Sequence, residues 1–214
     1  MRVQRWPGSG LVVVALAALL GGCQQKKEEP VAQAAPPGPA PGTAEWKMED
    51  AMGAAPRAIA SGAALMEWGA TPTTPPTQLR AGTNGWTCFA DNPGSPGDDP
   101  MCFDANFAAW ATAWMQHKDP HITSFGVAYM LKGGTDASNT DPFKMKPDSG
   151  QPWVDTGPHV MVVVPNVRNL VGISTDPKNG GPYVMWGGTP YAHVMVPVAA
   201  MGASSGTAAM GGMH

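Results

Sequence analysis

Two short stretches of this chain repeat one pattern of chemically able side chains. Gly157-Pro158-His159-Val160-Met161-Val162 and Tyr191-Ala192-His193-Val194-Met195-Val196 each open an apolar, strand-like run with a histidine and place a methionine two residues on. The two-residue period of a strand puts His159 and Met161 on one face, and likewise His193 and Met195. If the two strands pair in register, two imidazoles and two thioethers converge. Imidazole with soft thioether is a copper-type donor set. Two imidazoles at a sheet edge are also suited to acid–base work or to contacting a small ligand. Against these stands the plainer reading of two separate histidines at strand starts, with methionine filling the core.

A second candidate is the polar stretch 133–142, in which Asp136, Ser138, Asn139, Thr140 and Asp141 follow one another closely. Its oxygens suit a hard cation. The EF-hand pattern is not met, because Asp141 stands where glycine is required and Pro147 where the twelfth-position glutamate belongs. The plainer reading is a series of Asx and Ser/Thr turns on a sheet rim. His117 and His121 have H-x3-H spacing, but Pro120 between them breaks the helix that would align them. The G-x-S-x-G string at 202–206 sits in a low-complexity tail, without the strand–turn–helix context that makes such a serine reactive. Met210, Met213 and His214 form a short Met/His cluster of the copper-collecting kind. An envelope enzyme or a metal-binding protein using His159, His193 and the 133–142 loop is therefore one reading of the chain. A non-catalytic binding or structural domain is the other.

The N-terminus says where such a domain would work. Arg2 and Arg5 precede a ten-residue apolar run, 11–20, too short to span a bilayer. It ends in Leu20-Gly21-Gly22-Cys23, which resembles the lipobox of bacterial lipoproteins. The resemblance implies cleavage before Cys23 and acylation of that residue, palmitate included. Several acyl chains on one residue give stable anchoring to the cell membrane. Gln24, rather than Asp, follows the cysteine, which by the same resemblance favours the outer membrane in a Gram-negative host, with the domain facing periplasm or surface. An ordinary secretory signal with a chance cysteine is the alternative.

Composition narrows the partners. The 214 residues carry 13 Lys and Arg against 16 Asp and Glu, a net charge of −3, and loss of the leader removes two of the arginines. That excludes a polybasic nucleic-acid binder. The 43 % hydrophobic content with 8 Trp suffices for a core, while 27 Gly and 23 Pro point to extensive loops. The expected partners are the membrane, through the lipid anchor, and an envelope protein or small ligand.

The elements that must position these groups follow from the pattern. Residues 1–22 read as signal peptide and 23–45 as lipidated cysteine plus Pro/Ala-rich tether, reaching up to ~65 Å if fully extended at about 3.1 Å per residue. Residues 46–199 read as a single α+β domain and 200–214 as a disordered Gly/Ala/Met tail. Within the domain a helix is expected over 49–60, interrupted near Pro56, then strands over 64–68, 78–80 and 86–89. Asp104 is placed to cap a helix over 105–117, whose Phe107, Trp110, Ala111 and Trp114 share one face. Apolar runs at 125–131, 160–164, 183–186 and 194–198 read as strands covered on both faces, the last two joined by a Gly187-Gly188-Thr189-Pro190 hairpin. The expected architecture is a mostly antiparallel sheet with one main helix packed on it. Cys88 and Cys102 bracket a Pro/Gly-rich segment and are expected to form a disulfide, which the envelope permits.

The strings LRAGTNGWTC (79–88), DPMC (99–102), SNTDPF (138–143), TGPHVM (156–161) and GTPYAH (188–193) resemble an uncharacterised family of bacterial exported proteins and lipoproteins. The resemblance implies one exported domain. It brings no activity, cofactor or catalytic residue with it.

Overall fold

A computed structural model describes residues 38–71 and 74–198. The lipidation candidate Cys23, the 202–206 serine string and the Met210, Met213, His214 cluster lie outside the described residues. The remainder is α+β, built on an eight-stranded sheet of order β2-β1-β3-β4-β5-β8-β10-β9. Its strands are β1 (Ala64–Glu67), β2 (Thr77–Arg80), β3 (Thr87–Phe89), β4 (Met101–Phe103), β5 (Gly126–Met130), β8 (His159–Val163), β9 (Tyr183–Met185) and β10 (His193–Pro197). Only β1 and β3 pair in parallel; the other neighbours are antiparallel. A separate ribbon pairs β6 (Thr135–Asp136) with β7 (Val154–Asp155). No described helix is long and apolar enough to cross a membrane.

The helix expected over 49–60 starts earlier and is split. α1 is Ala44–Gly53, because the Thr43 side chain accepts from the Trp46 amide and caps it. Pro56 then ends one helix and begins the short α2, Arg57–Ala60. α3, Ala105–Met115, has the expected cap: the Asp104 carboxylate accepts the Phe107 amide at 2.8 Å. α3 ends before His117, whose φ of +56° takes the left-handed position usually given to glycine. The His117 amide donates to Trp114 O and the Lys118 amide to Ala113 O, closing a Schellman motif. The ring of His117 lies on Phe143 at 4.1 Å. His117 and His121 therefore do not share a helix.

The mostly antiparallel sheet carries its longest helix, α3, on one face, and α1 with the short α2 on the other. Leu65, Cys88, Cys102 and Tyr129 stand in register on the first face. The first three are buried against the alanines of α1 and α2, with Tyr129 packed alongside. On the other face Phe107 and Trp110 of α3 pack with Met130, Met161, Met185 and Met195. The alternating burial of β5, β8 and β10 follows from this arrangement. Each of these strands is buried on one face and half-buried on the other, not covered on both. The Cys88–Cys102 disulfide joins directly opposed residues of β3 and β4.

Candidate functional site

β8 and β10 are neighbours, but their register separates the two histidines. Met161 lies opposite Met195, whereas His159 lies opposite Pro197. His159 and His193 thus stand four residues apart along the pair, about 14 Å at ~3.4 Å per residue. The expected convergence holds for the thioethers and fails for the imidazoles, because each histidine opens its strand and antiparallel strands start at opposite ends. Both rings share one sheet face, and the charge of His159 contributes to lowering the His193 pKa.

The neighbouring strands complete a pattern with approximate two-fold symmetry. β5 places Met130 beside His159, and β9 places Met185 beside His193. Each histidine therefore has one methionine across the strand boundary, one two residues along its own strand, and one on the diagonal. His159 has Met130, Met161 and Met195; His193 has Met185, Met195 and Met161.

Both rings are almost wholly buried, at 2 % and 1 % exposure. His159 Nδ1 is 2.6 Å from Gly157 O and His193 Nδ1 is 3.0 Å from Tyr191 O. A carbonyl only accepts, so in each ring Nδ1 carries the proton, and in the neutral ring Nε2 presents a lone pair. Burial pushes the His159 pKa down, with the Gly157 contact opposing. Burial brings His193 to about 4. His159 Nε2 is buried with no hydrogen-bond partner, and so is the Tyr183 hydroxyl.

The surroundings of the two rings differ. At His193, the rings of Trp110 and Trp186 make T-shaped contacts at 5.2 and 5.0 Å. Near the His159 end an open cleft of about 390 Å³ is lined by Thr156, Gly157, Lys178, Tyr183 and Pro197, among others, while His159 itself is buried behind its neighbours. Pro197 is the register partner of His159 and Gly157 the acceptor for its Nδ1.

The 133–142 segment crosses over this face. A Cβ at Gly134 would come within 2.8 Å of the Met130 methyl and 3.4 Å of His159 Cε1, so the backbone of this segment passes close over both side chains and a larger residue would displace the Met130 methyl. Further along, Ser138 O accepts from Trp186 Nε1 at 2.9 Å and Asn139 O from the Trp186 amide at 2.8 Å. Trp186 itself sits at φ +55°, a strained position for a bulky residue, held by these bonds and by stacking against Trp110. The polar side chains of the segment mostly bond to its own backbone. Asp136 accepts from Ser138 N, Ser138 Oγ from Thr140 N and Asp141 N, and Asp141 from Phe143 N. These are Asx and Ser/Thr turns. Asp136 is raised by burial to about 6, and burial together with the Asp136 charge raises Tyr183 to about 12. Among the described residues no three His, Cys, Asp or Glu side chains are grouped to hold a metal ion.

Sequence reading found His159 and His193 through their echo. It missed Tyr183, Met130 and Met185, which only strand register brings alongside. Comparison with family models, with curated proteins and with solved structures returns no match for this chain.

Proposed function

We propose that the chain is a lipid-anchored lipoprotein of the bacterial cell envelope, held through Cys23, whose domain acts as a non-catalytic binding accessory unit. In a Gram-negative host the outer membrane is its place. The observation that carries the anchoring is the LGGC string directly after a ten-residue apolar run with two arginines before it. The Cys88–Cys102 disulfide is in keeping with an oxidising compartment. Binding, rather than a purely structural role, is supported by the buried His159 Nε2 left unpartnered and by the unpartnered hydroxyl of Tyr183, a residue that lines the cleft, since an unpaired buried polar group costs about 1–3 kcal/mol. Cys23→Ser should leave the protein in the soluble envelope fraction or as uncleaved precursor, without palmitate label. A mutant that still partitions into detergent with the mass of an acylated mature chain would overturn the assignment.

A further inference from the structure

His159 combines two properties that its pseudo-symmetric counterpart lacks together: a buried, unpartnered Nε2 and a surround of thioethers. Nδ1 is tied to Gly157 O, which fixes the ring and leaves Nε2 as the donor atom. Metal-bound histidines are held in this way, with the second nitrogen donating to a backbone carbonyl or carboxylate. Met130 lies directly across from His159, Met195 on the diagonal and Met161 two residues along the same strand. Opposed residues have Cβ atoms about 4.5–5.5 Å apart and diagonal ones about 7–8 Å, within reach of side chains as long as methionine. All three methionines are buried in one packed cluster. A face offering one imidazole and three thioethers, with no carboxylate or thiolate in the set, is soft and neutral. It suits a monovalent soft cation and not zinc, calcium or magnesium.

We infer that His159, Met130, Met161 and Met195 form a binding site for a single Cu(I) ion. His193 takes no direct part, because the strand register holds it about 14 Å from His159, at ~3.4 Å per residue. The inference deepens the accessory binding role proposed above and rests on the binding part of that reading alone.

The test uses the full-length mature chain with Cys23→Ser, which removes both the acyl chains and the free thiol. The probe is Cu(I) itself, titrated anaerobically against a chromogenic chelator, with Zn(II) in parallel. One equivalent of Cu(I) should bind, in preference to Zn(II). His159→Ala should weaken it by more than about 100-fold, beyond the cost of losing an outer partner. Met161→Leu with Met195→Leu keeps the core volume while deleting two thioethers, and should weaken binding similarly in a protein that still folds. A variant with Met210, Met213 and His214 all changed to Ala should bind as the parent does. No Cu(I) binding, equal binding by the His159 or double-Leu variants, loss of binding with the tail variant, or a preference for Zn(II) would each overturn the site. Failure here leaves the anchoring untouched, because detergent partition of the wild-type chain reads that separately.

Discussion

The two halves of the sheet treat polar groups in opposite ways. On the β1–β3–β4 side the core is small: alanines of α1 and α2, Leu65 and the disulfide. Its buried polar side chains have partners. Asp50, buried, accepts the Asp91 amide at 2.7 Å and Lys132 at 2.5 Å, and Lys132 also reaches Asp98. Arg80 donates to the carbonyls of Ala60 and Ala63. On the β5–β8–β10–β9 side the core is aromatic and sulfur-rich. Every buried side-chain polar atom without a partner among the described residues belongs to this half: Trp110 Nε1, Asn139 Oδ1, His159 Nε2 and Tyr183 OH. A fold able to satisfy one half so fully has no physical need to leave four polar groups unpaired in the other. The first half is built for stability. The second carries the cost of a site.

That contrast can be broken at several points. The largest effect is expected in the stabilising half. Replacing Cys88 and Cys102 by Ala should lower unfolding free energy by about 3 kcal/mol, since the bridge closes a loop of 14 residues' separation. Denaturant unfolding measures this, and a loss under about 1 kcal/mol would speak against a structural role for that half.

Acid sensitivity should show opposing contributions. Asp136 and Asp99 hold protons up to about pH 6 when folded, against an ordinary 3.8, so their contribution to stability falls as pH rises from about 4 to 6. His193, held at about 4 against 6.5, works in the opposite sense and costs stability as pH falls through the same range. The terms offset, and the wild-type profile should be shallow there. Asp136→Asn keeps the acceptor for the Ser138 amide and removes one carboxyl. The variant should therefore lose more stability than wild type between pH 6.5 and 4, by at most about 3 kcal/mol. Parallel thermal-melt profiles for the two proteins would refute the assignment.

Smaller effects sharpen the contrast further. Asp50→Ala strands the Asp91 amide and should cost about 2 kcal/mol. Tyr183→Phe removes a hydroxyl that bonds to nothing and should be neutral or stabilising, by about 1 kcal/mol or less. A clear destabilisation by Tyr183→Phe would show that its hydroxyl has a structural partner and that the halves do not differ as described.

What the sequence revealed was local. The α3 helix with its Asp104 cap, the apolar strand runs and the Cys88–Cys102 bridge depend on neighbouring residues and were legible as such. The start of α1 was hidden, because Thr43 sits at the end of a Pro/Gly-rich stretch that reads as tether. β4, three residues long, was masked by the Pro/Gly-rich segment before it. The site was half legible. The His-x-Met echo marked the right strands, but antiparallel register is a long-range property, and it sends equivalent residues to opposite ends. Met130, Met185 and Tyr183 join the histidines through pairing alone, and no spacing in the chain announces them.

Whether the second half holds a soft metal at His159 is decided by carbon-13 methyl NMR of the methionines during anaerobic Cu(I) titration of the Cys23→Ser chain. The methyl signals of Met130, Met161 and Met195 should shift together and saturate at one equivalent, while exposed Met115 and Met145 stay in place. Shifts confined to Met115, Met145 or the tail methionines, or to Met185 beside His193, would contradict it.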